Sequence, residues 1–211
     1  MNLNIKIHDQ DFVLHPYGAV YWPEQEVMLV ADVHLGKVSH FRKHGSAVPL
    51  QAASQNFIKL DELRKEFDPE HIVFLGDLFH SSLNLEWNMF EEWKGNIDNQ
   101  VHLIAGNHDI ISPLKYEAID IKIYSDVKVA GFHLSHHPEE QKDHYNICGH
   151  IHPGFKMRGE GRQLLNLPCF FRSKNQLILP AFGEFTGNYY MKPEEGDYIF
   201  AITGKEVIQV N

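Results

Sequence analysis

The chain has 211 residues, and its 19 Lys and Arg against 28 Asp and Glu give a formal charge of −9. That length suits one domain over 1–211, and 43% hydrophobic with 12% aromatic residues excludes global disorder. No apolar run approaches the roughly 20 residues that span a bilayer, and a pI near 5.9 excludes coating nucleic acid by charge alone. The start, MNLNIKIHDQ, does not read as a secretory signal. Two cysteines, Cys148 and Cys169, are too few for a disulfide framework and suit a reducing, cytoplasmic setting. Histidine is the anomaly, because 15 of them exceed what packing requires.

In chain order, β-branched and aromatic content predicts strands over 3–7, 12–15, 19–22 and 27–31. A helix follows, with Phe57, Leu60, Leu63, Arg64 and Phe67 at helical spacing and Asp68-Pro69 as its stop. Next come a strand over 72–75, a helix through Leu85, Met89, Phe90, Trp93 and Ile97, and a strand over 101–105. A weaker helix over 113–119 precedes strands over 121–124, 127–136, 145–148, 163–167, 176–179, 198–203 and 206–210. Strand–helix alternation in the first two-thirds implies βαβ crossovers and a partly parallel sheet, and the last third implies antiparallel pairs. The expected architecture is a four-layer α/β/β/α sandwich of two mixed β-sheets flanked by helices.

The apolar strands end in polar clusters. Asp32-Val33-His34, Gly76-Asp77-Leu78-Phe79-His80, Gly106-Asn107-His108-Asp109 and Gly149-His150-Ile151-His152 each follow a strand, as does Ser135-His136-His137-Pro138. Sites in open α/β sheets form outside the carboxyl ends of strands, so these loops can converge. In an extended segment, residues two apart share a side, so D-x-H and H-x-H can each aim two donors at one ion. Glycines 76, 106 and 149 would let the backbone turn or come close. Asp, Asn and His donors without thiolate suit Mn, Fe or Zn. Seven such donors are too many for one tetrahedral zinc and fit two ions about 3.5–4 Å apart.

Taken in order, D-x-H, G-D-x-x-H, G-N-H-D, H and G-H-x-H resemble the calcineurin-like metallophosphoesterase superfamily. The blocks ADVHLGK, FRKHGSAVP, GDLFHS and LPAFGEFTGN further resemble the bacterial and archaeal DNA-ligase-associated metallophosphoesterases, the PdeM family of DNA-damage-response endonucleases. That resemblance implies Asp32, His34 and His152 on one divalent metal, Asn107, His136 and His150 on the other, and Asp77 bridging. His108 would be the general acid, oriented by Asp109. His80 stands where many members have Asp, which favours a nucleic-acid substrate, and His137 stands where the pattern has Gly, which leaves His136 and His137 as rival ligands, with His136 preferred.

The expectation is a dimetal phosphodiesterase with Mn as its ions, or Fe or Zn, acting on single-stranded DNA in repair. A ligase, a helicase and a nuclease are its implied functional associates. Lys37, Arg42 and Lys43 follow the first metal motif, and Lys37 and Arg42 are candidate phosphate contacts on an otherwise acidic protein; the same residues could be a solvated loop. Phe182–Gly187 could line the cleft or turn between strands. His133 reads as a core or sheet histidine, and His8, His15, His40, His44, His71, His102 and His144 read as packing or surface residues. A small-molecule phosphatase on the same site and a non-catalytic scaffold are the rival readings. A two-metal peptidase is disfavoured by the Asn of Gly-Asn-His-Asp.

Overall fold

The first sheet grows from short antiparallel turns into parallel crossovers, and that change decides where its strands end. Strands β1 (Leu3–Ile7), β2 (Gln10–Leu14), β3 (Val20–Trp22) and β4 (Val27–Val30) pair antiparallel in chain order. Helices then return the chain, so β4, β5 (His71–Leu75), β6 (Gln100–Ile104) and β7 (Ile121–Tyr124) run parallel. The helices are α1 (Lys37–Lys43), α2 (Gln51–Phe67), α3 (Leu85–Gly95) and α4 (Pro113–Glu117). Asn84 caps α3 by accepting the Glu86 N–H, and Pro113 opens α4. The computed structural model describes residues 1–43, 45, 51–80, 83–139, 143–159, 163–184 and 186–211, apart from the side chains of Lys43 and Gln51. His44 and 46–49 of FRKHGSAVP, Ser81 of GDLFHS and Phe185 of FGEFTG lie outside the described residues.

Among the described residues, the second sheet holds nine strands. They are β8 (Val127–Val129), β9 (Phe132–Leu134), β10 (Tyr145–Cys148), β11 (Pro153–Arg158), β12 (Leu164–Arg172), β13 (Gln176–Ile178), β14 (Tyr189–Tyr190), β15 (Tyr198–Ile202) and β16 (Val207–Gln209). The expectation of antiparallel pairing here is corrected in part, since β9–β10, β10–β13 and β11–β14 are parallel. The strand expected over 127–136 is two strands around Ala130 and Gly131, both at positive φ (48° and 84°), the twist a two-residue hairpin requires. The strand expected over 163–167 continues to Arg172: up to Pro168 it pairs with β11, and from Cys169 with β15. Strand β11 has no expected counterpart, because it opens on Pro153 and Gly154, residue types depleted in strands, which leaves only Phe155 and Met157 to alternate with Lys156 and Arg158.

Two faces of the first sheet make two cores. Met28, Val30, Ile72, Phe74, Val101 and Leu103 pack with Phe57, Leu60 and Leu63 of α2 and Phe90 and Trp93 of α3. Leu29, Ala31, Val73, Leu75 and Ile104 face the second sheet through Phe132, Ile147, Leu177 and Phe200. Each such buried side chain contributes roughly 1.5–3 kcal/mol of transfer free energy. Among the described residues, four helices and two mixed sheets thus make the α/β/β/α sandwich architecture that the sequence predicts. Among the described residues, no helix is long and apolar enough to cross a membrane.

Candidate metal centre

Beyond the ends of β4 and β5 the backbones stay paired. Asp32 N–H donates to Gly76 O, His34 N–H to Asp77 O and Leu35 N–H to Leu78 O, at 3.2, 2.9 and 2.8 Å. These bonds carry Asp32-x-His34 and Asp77 side by side. The expected extended geometry of the ligand segments is corrected, because Asp32, His34, Asp77, His150 and His152 are all left-handed, with φ between 49° and 67°. A non-glycine residue held there costs about 1–3 kcal/mol. The neighbouring backbone bonds maintain it, and Asp and His are unbranched at Cβ. Gly106 and Gly149 permit the close approach: a Cβ on Gly106 would stand 2.3 Å from Asp77 Oδ1, and one on Gly149 2.5 Å from Asp32 Oδ2.

The seven candidate donors converge. His34 Nε2 and His152 Nε2 are 3.4 Å apart, and Asp32 Oδ1 is 3.2 Å from His152 Nε2. On the other side His136 Nε2 lies 3.1 Å from both Asn107 Oδ1 and His150 Nδ1. Asp77 stands between, with Oδ2 3.9 Å from His34 Nε2 and Oδ1 3.5 Å from His136 Nε2. Donor atoms of Asp32, His34 and His152, of Asp32, Asp77 and His136, and of His136, His137 and His150 form groups within 4.8 Å. Together these make two candidate metal clusters joined by Asp77 and Asp32.

Divalent cations fit this set on physical grounds. Asp32 is fully buried and Asp77 is 2% exposed, and two such carboxylates repel unless positive charge lies between them. Asp32 Oδ1 accepts no hydrogen bond, so one acceptor faces inward without a donor. His136 Nδ1 lies 2.9 Å from Leu75 O, which orients the ring and presents Nε2 to the centre. Burial first, then the charges of Lys37, His152, His80 and His108, lowers the His34 pKa to about 2. That keeps the imidazole in its neutral, ligating form. Burial likewise lowers His150, with His137 and His136 adding to it.

The adjacent histidines differ in setting. His136 is buried, whereas His137 is exposed with its ring centroid 4.1 Å from that of His150. His136→Ala should therefore strip metal from one cluster, and His137→Ala should leave content near the unsubstituted level, as read by elemental analysis after gel filtration. The opposite pattern would make His137 the ligand.

The Asp109 carboxylate accepts the backbone N–H groups of Asp77 (2.8 Å), Gly106 (2.8 Å) and Phe79 (3.2 Å). These bonds clasp the Asp77 loop to the Asn107–His108 loop. Burial pushes its carboxyl up to about 6, against those backbone bonds, which lower it. His108 is exposed, its N–H donating to Asp77 Oδ1 at 2.9 Å and its ring centroid 5.3 Å from that of His80 and 5.6 Å from that of His34.

Lys37 opens α1, and its Nζ donates to Thr186 Oγ1 at 2.9 Å. Burial lowers its pKa, while Asp32 and Asp77 raise it, so the ammonium sits within the field of both carboxylates. Arg42 is exposed near the other end of α1, five residues on and about 140° around the helix. His40, expected as a packing or surface residue, has its ring centroid 5.6 Å from that of His80. Sequence reasoning missed one neighbour. Glu86, 2% exposed on α3, accepts the N–H groups of Gly36 (2.5 Å) and Ser39 (3.1 Å) and so anchors the start of α1. Nothing local to Glu86 in the sequence marks it, because its partners are backbone groups fifty residues away.

This fold with two joined donor clusters defines a metal-dependent phosphoesterase. The calcineurin-like phosphoesterase family model matches residues 26–203, and the chain belongs to that family. The crystal structure of Pseudomonas putida nuclease MPE is similar over 100% of both chains, with 31% identity and a TM-score of 0.85. The Escherichia coli phosphoesterase Yfce is similar at 15% identity and a TM-score of 0.46, over 87% of this chain and 97% of its own. No curated protein matches.

Proposed function

We propose that the chain is a single-domain phosphodiesterase over 1–211 that cleaves single-stranded DNA in a cytoplasmic repair setting, as a PdeM-type endonuclease. The observation that carries this reading is the end-to-end likeness to a nuclease, in a chain whose seven donor side chains converge. Asp32, His34 and His152 would hold one ion, Asn107, His136 and His150 the other, and Asp77 both. Mn is the expected metal, with Fe and Zn as alternatives. When bound, two divalent ions would make a water acidic enough to ionise near neutral pH and so attack phosphorus, and would supply positive charge for the phosphate oxygens. The side chains do the rest. His108 donates a ring proton to the leaving oxygen as the P–O bond breaks, Asp109 holds its loop, and His80 and Lys37 face the phosphate. Arg42, at the outer end of α1, meets substrate farther along the strand. Functional association with a ligase, a helicase and a nuclease belongs to the same reading.

A formal charge of −9 favours the second reading, a small-molecule phosphoesterase, because a polyanion meets more repulsion than a single phosphate ester. With added Mn, a panel of single-stranded DNA, duplex DNA, aryl phosphodiester and nucleotide monoester separates the two. Single-stranded DNA is expected to be cleaved with the highest kcat/KM, and a preference for monoesters would sink the nuclease reading. On DNA, Lys37→Ala should raise KM strongly, with a smaller rise for Arg42→Ala and a flatter salt dependence for both. Equal losses on DNA and the aryl diester would mean that Lys37 supports the metal shell instead.

A further inference from the structure

One segment runs along the rim of the metal centre from donor to donor. Phe182 N–H bonds Ala31 O, Gly183 N–H bonds Asp32 O, and Tyr189 N–H bonds His152 O at 2.9 Å. Between those anchors Thr186 receives the Lys37 ammonium. Tyr189 begins β14, opposite Pro153 in register, and Met191 N–H continues the pairing to Gly154 O. Its backbone is thus fixed one hydrogen bond from a candidate metal donor. Tyr189 as a whole is 66% exposed, whereas the next ring, Tyr190, lies under the Lys156 ammonium at 4.4 Å. A lone exposed aromatic is ordinary on a protein surface. An exposed ring on a pinned strand beside a candidate metal donor is a different matter, since it loses little freedom when a flat ligand covers it.

We propose that Tyr189 is a stacking platform for an unpaired nucleobase next to the phosphate held at the metal centre. This rests on the nucleic-acid reading above and specifies its substrate. Two residues separate Thr186 from Tyr189, so their backbones are at most about 11 Å apart, and the Lys37 cation and the ring lie within reach of one short stretch of strand. Every base offers a π-face, so the platform is tolerant of sequence. A paired base hides that face within the duplex, so the platform selects single strands.

The test uses the full chain with Mn and two oligonucleotides of equal length, oligothymidine and a wholly abasic strand. Tyr189→Ala should raise KM for oligothymidine by about 10-fold, within the range of base–aromatic stacking, and Tyr189→Trp should restore it. On the abasic strand the gap between the unsubstituted protein and Tyr189→Ala should close, because there is no base to stack. An unchanged KM on oligothymidine would overturn the platform and leave the ring as a surface for a protein partner. Equal losses on both strands, or no rescue by Trp, would overturn it in favour of a role in holding His152. Failure of the unsubstituted protein to cut any oligonucleotide, while it turns over an aryl diester, would overturn the nucleic-acid reading and the platform with it.

Discussion

Asp77→Asn is expected to deplete both metal clusters and to cut turnover by more than about 100-fold. Loss of a residue that merely orients a metal ligand already costs about 10–100-fold, and Asp77 faces both clusters itself. Its Oδ2 lies 3.9 Å from His34 Nε2 and its Oδ1 3.5 Å from His136 Nε2, at 2% exposure. The amide keeps the shape and removes the charge that two cations require between them. Asn also tolerates the left-handed backbone found there, φ 51°, so the loop should keep its course. Elemental analysis and turnover of an aryl phosphodiester are the readouts. Full metal content with normal turnover would sink the bridging assignment.

His108→Ala should behave in the opposite way, keeping metal and losing rate by about 10²–10⁴, the usual worth of a positioned general acid. The side chain is dispensable to the metal shell, because the contact that residue 108 makes to Asp77 runs from its backbone N–H, which alanine retains. The loss should be large for a deoxyribose leaving group, which must be protonated, and small for a nitrophenolate, which need not be. Equal losses on both would assign His108 to phosphate binding, and loss of metal would make it a ligand.

The residue types at the centre were legible in the sequence because metal chemistry constrains them locally. Asp32-x-His34, Asp77, Asn107, His150-x-His152 and a histidine at 136 or 137 are candidate donors at the carboxyl ends of strands, and apolar runs mark those strands without tertiary information. The helices α2 and α3 were legible for the same reason, since each places one apolar stripe against the sheet. The geometry was not. Alternation suggested extended ligand segments, but a left-handed backbone at Asp32, His34, Asp77, His150 and His152 is sustained by hydrogen bonds to loops distant in sequence. Asp109 neighbours His108 in sequence, and only the fold brings the Asp77 and Phe79 N–H groups to its carboxylate.

The parallel pairs of the second sheet were hidden because pairing direction is settled by which strands meet, not by composition. Glu86 reaches its backbone partners, and His40 the ring of His80, only because the fold lays α1 against the His80 loop and the start of α3. The sequence determined which atoms can bind metal. The tertiary structure decided which way they face, because a backbone conformation costing about 1–3 kcal/mol at each donor persists only where distant segments hold it.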